Sequence, residues 1–337
     1  MTRALAVVLA GSLVATSAAG RPAHHTDDGF RNLGPPRRVS AGVALPFFAR
    51  RIWANLRGRD GAPPSVPNDG SALRAWTGNP HATMTWIGHS TVLVQMDHVT
   101  FLTDPIWSKR ASPLSFAGPA RSAPPAVALE ALPPIDFVVV SHGHYDHLDI
   151  PTLQRLTNGT TRFVVPLGHA KLLRAHDVGP VEELDWWNSL TIGAVTIHCV
   201  PAQHWSQRSL FDADEALWSG WVVVGPSRRF YYAGDTGYFA SFAEIGERLG
   251  PFGLVALPIG AYEPAAMMRV VHLDPEEAWQ AGLDVRGERI LGVHYGTFDL
   301  TDEPPDEPPQ RLRAAAAAAG LQSPRVWLPA LGETRRW

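Results

Sequence analysis

Within nine residues, Ser141 to Asp149, the chain reads SHGHYDHLD, and four of the six from His142 to His147 carry side chains that bind metals. Asp136 to Val140, just upstream, is a short, apolar, β-branched run of the kind that forms a buried strand. The nonapeptide is therefore expected on a loop at that strand's carboxyl end, where α/β proteins build their sites. His142, His144, Asp146 and His147 crowd into six residues, a density of ionisable groups that a fold tolerates when a cation neutralises and orients them. In the spacing H-x-H-x-D-H, alternate histidines can converge on one ion while the adjacent Asp and His turn toward a second. The stretch predicts a two-metal site; the alternative is a solvated, His-rich loop.

The rest of the chain can bury such a site. At 337 residues, with 45% hydrophobic and 18% charged, it is globular and has material for a large core. A net charge of −3 with no long basic run gives no electrostatic support for a nucleic-acid partner. Twelve Trp suggest aromatic walls as well as core. Cys199 is the single cysteine, so no intrachain disulfide forms, and the alternation of Val195, Ile197 and Cys199 puts its thiol on an apolar strand face.

Three regions are expected: residues 1–20, 21–75 and 76–337. The first has Arg3, an apolar stretch from Ala4 to Ala15 and small residues to Ala19, the layout of a secretory signal peptide. It predicts export to the periplasm or the medium, with an uncleaved tether or tail as the alternative. The second is rich in Arg, Pro and Gly and carries one predicted helix between Pro46 and Arg57. Phe48, Ile52 and Leu56 share a face of that helix among Arg50, Arg51, Arg57 and Arg59. Such a helix docks on its own domain or lies on an anionic membrane surface. The third region reads as strands at Met84–Ile87, Thr91–Met96, Val99–Thr103, Arg162–Val165, Leu190–Val200, Trp218–Val224, Arg229–Ala233, Leu254–Pro258, Ile290–Val293 and Val326–Leu328. Helices are expected at Ile150–Leu156, His169–His176, Phe239–Leu249, Pro275–Leu283 and Pro308–Ala319. Asp97-His98 lacks the Gly that a tight hairpin favours, so a longer or bulged turn is predicted there.

Several longer stretches carry a resemblance: WIGHSTVLVQ from Trp86, LTDPIWSKRASP from Leu102, SHGHYDHLD, QHWSQR from Gln203, LWSGWVVVGP from Leu217, YAGDTGY from Tyr232 and LPIGAYEP from Leu257. Between about Pro67 and Pro309 the chain resembles the metallo-β-lactamase-fold hydrolases, and among them the N-acylphosphatidylethanolamine-hydrolysing phospholipase D enzymes. The resemblance implies an α/β fold, a four-layer αββα sandwich. It also places further ligands: His204 in PAQHW joins His142 and His144 at one metal, His294 in GVHYG joins Asp146 and His147 at the other, and Asp235 in YAGDTG bridges the two. Each follows an apolar strand. Gly143 stands where the branch has Asn, which puts the hydrogen bonding of the ligand loop in question.

The chemistry then expected is hydrolysis at two ions roughly 3.5–4 Å apart. A water shared between them loses a proton near neutral pH, since one catalytic zinc already brings bound water to a pKa of about 7. That hydroxide attacks the phosphorus of an N-acylphosphatidylethanolamine-like phospholipid, with a diacylglycerol alkoxide as leaving group. Zinc fits the ligands, and Mn2+ or Fe2+ is also compatible. Asp146 is expected to orient the nucleophile or handle its proton, and His272 sits where the resembled branch has a substrate-side His. Tyr145, Trp205 and Trp218 are candidates for substrate contact, and Trp186, Trp187 and Trp221 for groove or core. His89 is a candidate to hold a ligand from behind, and Asp274 to cap a helix. The alternative activities are hydrolysis of a lactone or another phosphodiester; an envelope module that binds metal or lipid without catalysis is a further reading.

Overall fold

The computed structural model describes residues 20–36, 39–57, 61–76, 81–320 and 325–337, so all but the last residue of the expected signal peptide lies outside the described residues. Helices α1 (Ala41–Arg57) and α2 (Ser71–Arg74) precede strands β1 (Thr83–Gly88), β2 (Thr91–Met96), β3 (Val99–Thr103) and β4 (Phe137–Val139). Next come α3 (Ile150–Leu156), β5 (Arg162–Pro166), α4 (Ala170–Ala175) and β6 (Val181–Leu184). The chain then forms β7 (Ser189–Ile192), β8 (Val195–Val200), β9 (Gly220–Val224) and β10 (Arg229–Tyr232). It continues through α5 (Ser241–Leu249), β11 (Leu254–Pro258), α6 (Ala265–Met268), α7 (Pro275–Asp284) and β12 (Ile290–Val293). Helix α8 (Glu307–Ala318) and strands β13 (Val326–Trp327) and β14 (Thr334–Arg336) follow.

These strands make two seven-stranded sheets. One runs β14-β1-β2-β3-β4-β5-β6 and the other β13-β12-β11-β10-β9-β8-β7. Both begin as antiparallel meanders and turn parallel, at β3 with β4 and at β10 with β11. Parallel neighbours need crossovers; that from β3 to β4 is a long loop, and helices supply the others while covering the outer faces. The inner faces pack on each other: Phe101 stacks on Phe137 at 4.6 Å within one sheet and meets Phe230 of the other at 5.6 Å. Leu153 and Leu173, from α3 and α4, pack with Leu93 and Val138 on the outer face of the first sheet. The α/β four-layer sandwich expected from the sequence is the architecture observed.

Local differences have physical causes. Asp97 and His98 form a two-residue turn between Met96 and Val99, both with left-handed backbone (φ 46° and 67°), in place of the expected longer turn. The conformation is held from outside, because the Asp97 carboxylate accepts hydrogen bonds from Ser227 N, Ser227 Oγ and Arg228 N. The run from Leu190 to Val200 is broken by Gly193, at φ +56°, into the β7–β8 hairpin. Helix α1 starts five residues before Pro46, with Val43 N and Ala44 N bonded to Ser40 O. It docks by a different face than the expected one. Phe47 is buried and Arg51 is paired with Asp299 at 2.5 Å, while Leu45, Phe48, Ile52 and Trp53 are exposed. Arg50 is taken up by Asp302 at 2.6 Å.

Because Phe101 contacts aromatic rings in both sheets, Phe101→Ala is expected to cost about 3–5 kcal/mol of stability. Denaturant unfolding of the two proteins measures the difference.

Candidate metal centre

The polar loops gather at one edge of the sandwich because each follows the carboxyl end of a strand: His89 after β1, Asp104 after β3, residues 141–149 after β4, His204 after β8, Asp235 after β10 and His294 after β12. Three of these residues, His89, Asp104 and His294, have positive φ (53°, 33° and 60°). Such backbone costs about 1–3 kcal/mol per residue and persists where its surroundings over-determine it. Here His294 N donates to His89 O at 3.1 Å, tying two of the strained loops together.

The seven side chains anticipated as ligands are brought together. His142, His144 and His204 have ring nitrogens within 4.8 Å of one another, and so have His147, His294 and His89 with an Asp146 oxygen. Asp235 lies between the groups, its Oδ2 3.2 Å from His147 Nε2, 3.1 Å from His294 Nε2 and 3.9 Å from His204 Nε2. The donor set has the features of a cation site. His144 Nε2, His147 Nε2, His294 Nε2 and Asp235 Oδ1 are buried without a hydrogen-bond partner. Each such orphan costs about 1–3 kcal/mol. Divalent ions held here would take up His147 Nε2 and His294 Nε2, while His144 turns its other nitrogen, Nδ1, toward His142 Nε2 at 2.8 Å and His204 Nε2 at 3.3 Å.

Charge distribution agrees with the contacts. Burial pushes the imidazoles of His142 and His204 well below their ordinary value and that of His144 to about 4, so all three are neutral with lone pairs to give. Burial opposes ionisation of Asp146 and Asp235 too, yet His147 beside them holds both carboxylates well below their usual range. The same pairing overcomes burial at His147, which Asp235 and Asp146 lift well above the ordinary value, and at His294, raised to about 9. The two carboxylates thus draw positive charge to the place where His147 and His294 meet them.

Residues behind this cluster fix its rings. His89 Nε2 lies 3.0 Å from Asp146 Oδ2, as anticipated. Asp104 was not singled out in the sequence, although it ends an apolar strand in LTDP. It is fully buried; its Oδ2 lies 2.5 Å from His147 Nδ1 and accepts from Ser141 Oγ and Tyr232 Oη, and its Oδ1 accepts from Ser141 N. His204 Nδ1 lies 2.8 Å from Val271 O, leaving Nε2 toward the cluster. At Gly143 an added Cβ would lie 2.6 Å from Ser206 Oγ. The loop is bonded all the same, with Gly143 N donating to Ser206 Oγ and Arg208 Nη1 to Gly143 O.

The remaining candidates divide. Trp205 meets the His144 ring edge-on at 4.4 Å, and Tyr145 borders a cleft with Ser112 and Arg208, its ring 4.0 Å beneath the Arg208 guanidinium. His272 Nδ1 is 3.9 Å from Asp235 Oδ2. Trp218 is a correction: it is 1% exposed and its Nε1 donates to Asn32 Oδ1 and Ala202 O, so it packs inside and has no face for a substrate. Trp186 and Trp221 are likewise core. Asp274 caps α7 in a box with Glu277.

Comparison with known proteins matches residues 99–295 to the beta-lactamase superfamily domain. Over 242 residues, 68% of each chain, the protein is 47% identical to the N-acyl-phosphatidylethanolamine-hydrolyzing phospholipase D 1 of Caenorhabditis elegans. It is 44% identical over 301 residues to an uncharacterized protein of Mycobacterium tuberculosis, covering 87% of this chain and 79% of that one. Among solved structures, Igni18, a metallo hydrolase from the archaeon Ignicoccus hospitalis, superposes with a TM-score of 0.57 at 25% identity, over 76% of this chain and 98% of its own.

Asp104→Asn puts an amide where three donors converge. It is expected to lower divalent-metal affinity about 10–100-fold, the usual effect of losing a partner behind a ligand. Chelator-competition titration of the purified variant reads this directly.

Proposed function

The chain belongs to the metallo-β-lactamase-fold hydrolases, in the branch of the N-acylphosphatidylethanolamine-hydrolysing phospholipase D enzymes, and from that premise we propose that this metal-dependent hydrolase cleaves the phosphodiester of an N-acylphosphatidylethanolamine-like lipid at a dinuclear zinc centre. The observation that carries the reading is the cluster of seven ligand-type side chains with unpartnered, buried donor atoms. His142, His144 and His204 would hold one ion and Asp146, His147 and His294 the other, with Asp235 shared. Bound there, divalent metal supplies an activated water and positive charge against the charge that develops at phosphorus.

The chain's own groups do the rest. Asp146, held ionised among His147, His294 and His89, is placed to accept a hydrogen bond from the nucleophile and orient it. Burial brings His272 to about 4, so at neutral pH it meets the substrate as a neutral imidazole, a hydrogen-bonding group and not a proton donor. A phospholipase D outcome fixes the bond: water oxygen joins phosphorus, the bond to the N-acylethanolamine oxygen breaks, and phosphatidic acid remains. The leaving alkoxide is then N-acylethanolamine, and the diacylglycerol alkoxide expected from the sequence is set aside by this accounting.

Several exposed apolar residues support a lipid substrate. Leu45, Phe48, Ile52 and Trp53 on α1, Leu114 and Phe116, and Leu210 and Phe211 all face solvent. Ala54 and Asn55 of α1 line a cleft with His294 and Phe298, and Ser112, Tyr145 and Ser209 line the other. These exposed residues suit peripheral contact with a membrane surface, and export by residues 1–20 would put the enzyme at the envelope. Among the described residues no helix is long and apolar enough to cross a membrane.

Metal-assayed protein and N-acylphosphatidylethanolamine in mixed micelles are expected to give phosphatidic acid, and chelator or His144→Ala to abolish release. Asp146→Asn with retained metal is expected to lose about 10²–10⁴-fold in kcat, the span of a positioned proton-handling group. Absence of phosphatidic acid from protein carrying both metals would move the substrate to a lactone or another phosphodiester.

A further inference from the structure

The N-terminal arm, residues 20–36, reaches the metal centre from outside the matched domain of residues 99–295. One end of it is pinned at Asp185. His24 Nε2 and His25 Nε2 lie 2.6 and 2.8 Å from the two oxygens of Asp185, and the His24 ring stacks on Trp186 at 4.2 Å. From there Phe30 N donates to Asp214 O, and Pro35 O accepts from Gln203 Nε2 at 2.8 Å. Between those two bonds lies Asn32, half-buried against the segment that carries His204.

His204 follows the end of β8 and belongs to no strand or helix, so its main-chain N–H and C=O have no ladder partners. Both are nonetheless paired, and by one side chain. Asn32 Nδ2 donates to His204 O at 2.7 Å, and Asn32 Oδ1 accepts from His204 N at 3.1 Å. A single amide thus replaces the neighbouring strand that this residue lacks, as buried backbone groups require. The amide is itself fixed, because Trp218 Nε1 donates to Asn32 Oδ1 at 3.0 Å. On the other side of the residue the His204 ring is set by Val271 O at Nδ1, 2.8 Å away. Backbone and ring of His204 therefore have separate anchors, and the backbone anchor is Asn32.

We propose that Asn32 is a positioning residue for His204, its side-chain amide holding the ligand's main chain so that Nε2 points into the metal cluster; this rests on His204 being a ligand of the first ion, as proposed above. The arm is then part of the metal centre and more than a leader to the catalytic domain.

The test is a zinc titration of the purified full chain against a competing chelator, with thermal melting of the metal-free protein alongside. The wild type is expected to bind two ions, and His204→Ala to lose one of them. Asn32→Ala is expected to weaken that same ion about 10–100-fold and leave the other at wild-type affinity. Asp185→Asn, which frees the far end of the arm, is expected to lower the melting temperature without selective loss of either ion. Asn32→Asp keeps the acceptor for His204 N but sets a carboxylate oxygen against His204 O in place of the donor; it serves where the alanine variant does not fold, and is expected to weaken the same ion selectively. Unchanged affinity at both positions in the Asn32 variants, or equal weakening at both, would overturn the positioning role while His204→Ala still reports the ligand. Two tight ions in His204→Ala would overturn the ligand assignment and this proposal with it.

Discussion

Seven ionisable side chains meet at one edge of this sandwich, five buried and His144 and Asp146 partly so, and their mutual compensation is the constraint on which the architecture depends. Two negative carboxylates and five imidazoles in a low-dielectric setting would be strongly destabilising unless charge and lone pairs are matched. The sheets meet that demand by ending their strands at the same edge, so that loops from both halves converge. Strained backbone at His89, Asp104 and His294 is a local cost of bringing those loops so close. Asp104, which takes bonds from Ser141, His147 and Tyr232, shows how far the compensation reaches: it joins the ligand loop to β10 of the other sheet through one carboxylate.

Much of this was legible in the chain because the ligands come in runs and each run follows an apolar strand. SHGHYDHLD declares its chemistry through residue type and spacing alone, and the later ligands sit in stretches long enough to carry a family resemblance. Asn32 carries no such signal. An isolated Asn 172 residues before the residue it supports is indistinguishable from a loop residue until the chain is folded. Trp218 misled for a related reason, since an aromatic near a ligand has the same letter whether it faces a groove or fills the core. The short strands β6 and β14 escaped because Val181–Leu184 and Thr334–Arg336 are too brief and too polar for alternation to stand out.

Helix α1 illustrates how an amphipathic pattern can be read from the wrong side. Arg50 and Arg51, expected to flank an apolar face, are spent on Asp302 and Asp299, and the docking residue is Phe47; the Arg57 side chain and Arg59 lie outside the described residues. The apolar face is consequently turned outward beside a cleft that reaches His294. An ion-paired face is satisfied by the protein itself, so what is left to face the surroundings is hydrocarbon.

The strand at the edge of the first sheet, β14, pairs with β1 in the register Thr85 to Thr334, and the two side-chain hydroxyls meet at 2.7 Å across 249 residues of sequence. Every other pairing in that sheet is made within the first half of the catalytic region. During vectorial synthesis the first sheet therefore emerges with β1 as an open edge, and that edge stays exposed until the second sheet has been made. Completion of the amino-terminal half is in this way delayed to the carboxyl-terminal end of the chain, which makes the two halves a single cooperative unit despite their separate sheets.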